Sequence, residues 1–560
     1  MNGFGSSRRP RPGRAEALDE RILRWLNAPE GANSGPVLDV AFAGLAEIRQ
    51  QRRWPWSAFA DSLTQSLAIR LPRWAWIALV LLLVMSLAFA ATAGADRLRP
   101  FLDQLLALPA PPAQLSDTSC PAELVSSTTV RCLVATVPER HERQSVGTIS
   151  LAVTEYRPEG AESGADEVPI LIVDSADPLG ERTRVDILAQ ATTAGRRIVS
   201  VTLRGIGAGG SLACPEVEAL STAFPVGSLS DPALRGALGD AVRACRERLA
   251  AAGIDVSAIE PGQMVADLES VRLGLGIDRW IVGARGREAP LALELLRRYP
   301  DGVAGVVLIN PALAAVHPGS EAALAAALRE LSALCAADSF CSSRYRPPSE
   351  AYTTIVALLA DGPIAVPVTD PGGSEMTVRV DAALVRATIR DAIVGTTSVG
   401  TLPSLLDRMA GGDFTGPAMR LTNRGWCLGS ELGCSPGSGW SGGGEYALLC
   451  GAGANDLDPW AVICPAWFGD QQPAAARVDS SGEIAVVSLV SRTNPESTPA
   501  DAAAALGGLR RGTVVATPWA GEGDEFRCLG PAHSNWFAAP GEVQVLGCPD
   551  IGAPVFGDAP

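Results

Sequence analysis

Trp280-Ile281-Val282-Gly283-Ala284-Arg285-Gly286-Arg287 is the stretch on which the reading of this chain turns. Its first half is apolar and β-branched, as a strand buried on both faces must be, and it runs into a tight turn. A helical pattern follows over residues 287–299, and then Val303-Ala304-Gly305-Val306-Val307-Leu308-Ile309, a second continuous apolar run. Strand, turn, helix and strand in that order make one βαβ unit, because parallel neighbours need a long crossover. Further apolar runs stand at residues 148–154, 168–173, 197–203, 484–490 and 513–517, and helical patterns at 181–193, 232–252 and 263–275. The alternation predicts an α/β fold: a mostly parallel sheet with helices on both faces.

Between residues 309 and 484 the alternation stops. Helical stretches take its place at residues 320–334, 349–360, 381–393 and 402–409, with a Gly-, Ser-, Trp- and Cys-rich segment at 426–467. A sheet that is interrupted and later resumes implies a core carrying an inserted helical lid. The expected organisation is a leader over 1–73, an apolar span over 74–95 and a linker over 96–115. The core occupies 116–311 and 476–560, and the lid 312–475. No internal repeat is present. Two glycine-rich loops, at residues 435–444 and 205–209, lack the Gly-Lys-Ser/Thr or the following helix that would make them phosphate cradles.

Residues 74–95 contain no charged side chain. Twenty apolar residues in a helix cross a hydrocarbon layer of about 30 Å. Trp74 and Trp76 mark one rim, where amphipathic rings settle. The 73 residues before the span carry a net charge of +4, so the residues beyond it carry −15 − 4 = −19. The positive-inside bias then sets the N-terminus in the cytoplasm and the C-terminal body outside, on a single-pass anchor in a bacterial inner membrane. All 46 basic residues are arginine, which suits a GC-rich bacterial gene. A cleaved signal is the alternative, although its leader would be unusually long. Arg49, Arg52 and Arg53 beside Trp54 and Trp56 could meet anionic headgroups, or simply set topology.

All 12 cysteines follow the span, an even number that reads as disulfides in an oxidising compartment. Neighbours in sequence suggest Cys120 with Cys132, Cys214 with Cys245, Cys335 with Cys341, Cys427 with Cys434, Cys450 with Cys464, and Cys528 with Cys548, though spacing alone does not fix the pairing. With no C-x-x-C and three histidines, no metal is expected, nor a cofactor or a nucleic-acid partner.

Four segments carry a more specific likeness. They are Leu203-Arg204-Gly205-Ile206-Gly207-Ala208-Gly209-Gly210-Ser211 with Cys214-Pro215; Ala244-Cys245 through residues 265–272; Asp278 to Ile309; and Cys464-Pro465-Ala466-Trp467. In these the chain resembles the secreted, disulfide-bonded α/β-hydrolases of the tripeptidyl aminopeptidase and prolyl iminopeptidase type. The resemblance covers roughly residues 120–548. It implies a nucleophile on a G-x-S-x-G elbow, then an acid, then a histidine, in that chain order.

At each of those positions the chain departs from the pattern. The elbow frame reads Gly283-Ala284-Arg285-Gly286-Arg287, with Arg285 at the nucleophile, and a guanidinium stays protonated and cannot attack a carbonyl. In the turn Ser491-Arg492-Thr493-Asn494-Pro495-Glu496-Ser497-Thr498-Pro499, Asn494 stands at the acid. An amide holds no charge opposite an imidazolium. Glu522 stands at the histidine. The oxyanion loop reads Asp174-Ser175-Ala176-Asp177-Pro178-Leu179-Gly180, placing Asp174 and Asp177 where negative charge would develop.

The expected function is therefore that of a membrane-anchored, extracytoplasmic pseudo-enzyme that binds a peptide, an envelope component or a partner protein. Its candidate ligand-binding residues are Arg285, Arg287, Asp174, Ser175, Asp177 and Glu522, with Asp177 and Glu522 available as ion-pair partners of Arg285 or Arg287. The alternative is a divergent, active serine-type hydrolase using Ser175 or Ser211, for which His533 is a poor base. His141 and His317 read as structural.

Overall fold

The computed structural model describes residues 110–120, 129–142, 147–157, 168–174, 196–206, 212–222, 231–313, 320–369, 373–394, 398–424, 442–451, 460–469, 483–519 and 554–559. The chain divides into two compact units, Met1–Ala91 and Thr92–Pro560, and every described residue belongs to the second. Among the described residues no helix is long and apolar enough to cross a membrane. The expected span over residues 74–95 lies outside them.

Nine strands form one sheet. They are β1 (Gln114–Thr118), β2 (Thr129–Pro138), β3 (Thr148–Arg157), β4 (Ile170–Asp174), β5 (Ile198–Thr202), β6 (Trp280–Arg285), β7 (Val303–Ile309), β10 (Ala485–Ser491) and β11 (Gly512–Thr517), in the spatial order β1-β2-β3-β5-β4-β6-β7-β10-β11. From β5 to β11 every neighbour is parallel. β1, β2 and β3 add an antiparallel flank, with β3 antiparallel to β5. β8 (Ile364–Thr369) and β9 (Glu375–Val380) make a separate antiparallel hairpin. The sheet is thus mostly parallel with helices packed on it, as expected. The antiparallel flank and the hairpin were not.

Helices α1 (Pro215–Glu218), α2 (Pro232–Ala251), α3 (Pro261–Gly274) and α4 (Ala289–Arg298) precede the insertion. Each begins with proline in its first turn, where the missing N–H costs nothing. Asp231 caps α2 through the Ala233 N–H, and Glu260 caps α3 through the N–H groups of Gly262 and Gln263. These helices and one face of the sheet enclose the largest apolar cluster, with Leu238, Val242, Met264, Leu268, Trp280, Val282, Leu295 and Val306 almost fully buried. The opposite face carries Ile170, Ile198, Ile281, Val307 and Leu489; among the described residues its fully buried members all come from strands. The helix expected over residues 181–193 lies outside them.

After β7 come α5 (Glu321–Ala337), α6 (Ser339–Arg344), α7 (Pro348–Leu358), the hairpin, α8 (Ala382–Val394), α9 (Ser398–Ala410) and α10 (Thr415–Arg424), which close around a cluster of their own. These elements all fall within the insertion expected over 312–475. α11 (Gly442–Gly451) and α12 (Trp460–Phe468) join the sheet's cluster instead, Tyr446 stacking edge-on between Trp460 and Trp467. The last helix, α13 (Pro499–Leu506), lies between β10 and β11 and starts with a reciprocal capping box of Thr498 and Asp501.

Four disulfides are formed among the described residues: Cys120–Cys132, Cys214–Cys245, Cys335–Cys341 and Cys450–Cys464. All four are expected pairs. The other two expected pairs lie outside the described residues.

Candidate functional site

Parallel strands end together, so the loops after β5, β6, β7, β10 and β11 gather at one edge of the sheet, where ligands bind in open α/β folds. Arg285 is the last residue of β6, opposite Ile309 of β7, and its backbone is extended at φ −118° and ψ 149°. The sharp turn falls one residue later, on Gly286, whose φ is +48°. A nucleophile elbow holds its reactive residue on that strained turn. The backbone therefore moves the elbow centre from Arg285 to Gly286, which has no side chain at all. Neither residue carries an attacking oxygen. Arg285 is half-buried at the strand end, beside the turn.

From this turn a chain of hydrogen bonds crosses to the loop after β10. The Gly286 carbonyl accepts from the Ala312 N–H at 2.8 Å. The neighbouring Pro311 carbonyl accepts from the Ser497 hydroxyl at 2.7 Å, and Ser497 Oγ in turn accepts from Asn494 Nδ2 at 3.3 Å. Asn494 Oδ1 accepts the Glu496 N–H at 3.1 Å, closing an Asx turn. Both ends of the buried Asn494 amide are thus committed to holding its own loop. An aspartate here would instead set a carboxylate oxygen against a Ser497 oxygen whose proton is already given to Pro311.

Asn310, between β7 and that loop, is the only non-glycine with positive φ among the described residues, at 44°. Its strain is offset by two bonds to β10: its N–H donates to the Leu489 carbonyl at 2.8 Å, and its Oδ1 accepts the Ser491 N–H at 2.8 Å. Ser491 and Thr493 pair through their hydroxyls at 2.9 Å. The sequence places no weight on Asn310, Ser491 or Ser497. An asparagine before proline at a strand end is the one available signal, since Asn tolerates the left-handed region.

A second polar cluster sits at the same edge, under the turn that joins β2 to β3. The Arg204 guanidinium, fully buried just after β5, uses all five N–H donors. Two go to Asp267 on α3, at 2.6 Å each, and the rest to the carbonyls of Pro138, Glu139 and Ala258. His141 Nε2 lies 2.8 Å from the same Asp267 carboxylate, and the His141 backbone N–H donates to Gln263. Outside this knot, Arg140 bonds Asp255, Ser257 and Glu142. The bond from Arg140 holds the Asp255 carboxyl below the usual carboxylate range. His141, which the sequence reads as structural, is fully buried in this knot. The cluster is foreshadowed by an arginine and an aspartate inside otherwise apolar runs, since such charges must be paired.

The remaining candidates lie outside the described residues: Ser175, Asp177, Ser211, His317, Glu522 and His533, together with the side chains of Asp174 and Arg287. Asp174 is placed only as the last residue of β4. Among the described residues no cluster of His, Cys, Asp and Glu has the makings of a metal site.

Neither a protein-family model nor a curated protein sequence matches the chain. Solved structures similar to it include a proline iminopeptidase-related protein from Thermus thermophilus, 18% identical, covering 73% of this chain and 92% of its own, with a TM-score of 0.30. Proline iminopeptidase from Mycobacterium smegmatis is 14% identical, covering 72% and 97%, with a TM-score of 0.32. An epoxide hydrolase from an endophytic Streptomyces is 13% identical, covering 74% and 95%, also with a TM-score of 0.32. At such scores the likeness says nothing about activity, and the fold rests on the strand order above.

Proposed function

We propose that this chain is a non-catalytic, hydrolase-like protein, tethered to the bacterial inner membrane with its body outside, which binds a peptide, an envelope component or a partner protein at the carboxyl edge of its sheet. The observation that carries the reading is the turn after β6. Gly286 stands on the strained residue and Arg285 beside it, so no hydroxyl or thiol is presented where an acyl carbon would be attacked. The Asn494 amide, held in its own loop by Glu496 and Ser497, is the supporting one. A site of this kind keeps a binding edge without the means to cleave.

Arg285 gives that edge its preference. A guanidinium at the strand end suits a planar anion such as a peptide carboxylate, which it can grip with two parallel N–H bonds. Membrane tethering and export rest on the uncharged stretch 74–95, the arginine excess before it and the disulfides after it.

The test is covalent labelling. Purified protein incubated with a fluorophosphonate probe is expected to remain unlabelled, as judged by intact mass. Stoichiometric labelling would establish the rival reading of an active serine-type hydrolase and would locate its nucleophile. Arg285→Ala is expected to abolish binding of carboxylate-terminated peptides in an envelope-derived library while leaving the melting temperature within a few degrees of the parent.

A further inference from the structure

We infer that residues 554–559 form a strap that latches α6 and α9 of the cap, and that its release loosens these two helices while the sheet stays paired. β11 belongs to the core, yet the chain beyond it is built into the cap at two places. Trp519, two residues past β11, is buried in the cap's own apolar cluster, and so is Phe556 near the chain's end. The cap itself leaves the sheet at the end of β7, on the same edge that gathers the loops of the proposed site.

The strap is fitted rather than laid on. The Val555 carbonyl rests against Gly400 in α9, where any Cβ would overlap it, so the absence of a side chain at Gly400 makes the seat. The Gly557 N–H donates to the Gly400 carbonyl at 3.2 Å. Asp558 accepts from the Tyr345 hydroxyl at the end of α6, and its second oxygen lies 3.7 Å from Arg344. One aromatic ring, one backbone bond, one tyrosine hydroxyl bond and one exposed ionic contact hold six residues. The Val555 side chain, at 91% exposure, contributes nothing. So small a fastening opens locally far more often than the sheet beneath it. Release would free α6 and α9 while leaving the core strands paired.

The experiment is hydrogen exchange by mass spectrometry on the full chain, comparing the parent with a deletion of residues 554–560, with Phe556→Ala and with Val555→Ala. Exchange over residues 339–345 and 398–410 should accelerate at least tenfold in the deletion and in Phe556→Ala. β6 and β10 should be unchanged, and Val555→Ala should match the parent. Unaltered exchange in the cap of a folded Phe556→Ala protein would overturn the inference. So would an equal acceleration in β6 and β10, which would make the segment an ordinary part of the global fold. Neither result bears on whether the site is catalytic, which the fluorophosphonate probe reads separately.

Discussion

Arg204 shows how far one side chain can be committed. All five of its donors are spent inside the protein, two on Asp267 and three on backbone carbonyls of the β2–β3 turn and the α3 approach. Removing one partner of a buried pair strands the other, at about 3–5 kcal/mol. Arg204→Leu should therefore lower unfolding free energy by that order in urea titrations, while Asp267→Leu added to it should restore part of the loss. Asn494 makes the opposite argument. Asn494→Asp looks like a repair of a catalytic acid, but it removes the Nδ2–H that Ser497 accepts and puts a carboxylate oxygen against an oxygen. The outcome expected is a loss of about 1–3 kcal/mol with no gain of esterase activity. Arg285 and Asn494 drew notice in the sequence because each puts an unexpected chemistry at the end of an apolar run. The turn was legible only to within one residue, since Gly283-Ala284-Arg285-Gly286-Arg287 carries glycine on both sides and only the backbone says which position is strained.

At the scale of elements, legibility followed burial. β7 was read from the sequence with its observed ends, 303 and 309, because every residue in it is apolar or glycine and the strand is covered on both faces. β1 is mostly exposed and offers no apolar period at all. β3 departs from that rule: its half-exposed start lies within the run read at 148–154, while Glu155, Tyr156 and Arg157, which complete the strand, break the apolar run although Glu155 and Tyr156 are buried. The β8–β9 hairpin is short, and Pro367 within it argues against a strand until it is seen to lie in an isolated two-stranded pair. α11 escaped notice for another reason: it starts with three glycines, which disfavour a helix in isolation. Packing explains them. A Cβ on Gly444 would overlap the Gly205 carbonyl, and one on Gly443 would press on Trp467 and Leu212, with the Gly443 N–H donating to the Leu212 carbonyl. Replacing helical glycine by alanine ordinarily stabilises by roughly 0.5–1 kcal/mol. Gly444→Ala should do the reverse, losing about 1–3 kcal/mol from overpacking and lowering the melting temperature. A stabilised Gly444→Ala protein would mean that α11 does not approach the β5 loop as closely as described.

Across the whole molecule arginine stands wherever lysine could, and guanidinium–carboxylate pairs tie α1 to α2 through Glu216 and Arg248 and brace α3 and α4 along their own turns. Glu294 on α4 is the hub of one such group. Burial pushes its carboxyl up, but the bond from Arg297 and the charges of Arg298 and Arg297 outweigh this and hold it below its ordinary value. A carboxylate whose native value is depressed stabilises the fold above its unfolded value, here the ordinary 4.5, and that contribution fades as pH falls through the native value. Glu294→Gln should thus be less stable than the parent by about 1–3 kcal/mol at pH 7, where it leaves two guanidinium groups without their charge partner. The gap should narrow as pH falls below 4.5, where the unfolded chain takes up the proton, and close once pH passes the depressed native value, because the parent's own carboxyl is then neutral. Urea titrations at pH 7, 5 and 3 read the gap directly. A gap that stays constant across that range would mean that Glu294 acts by shape rather than charge, and the acid limb of the stability profile would then have to be sought in the Arg140–Asp255 pair at the other end of the core.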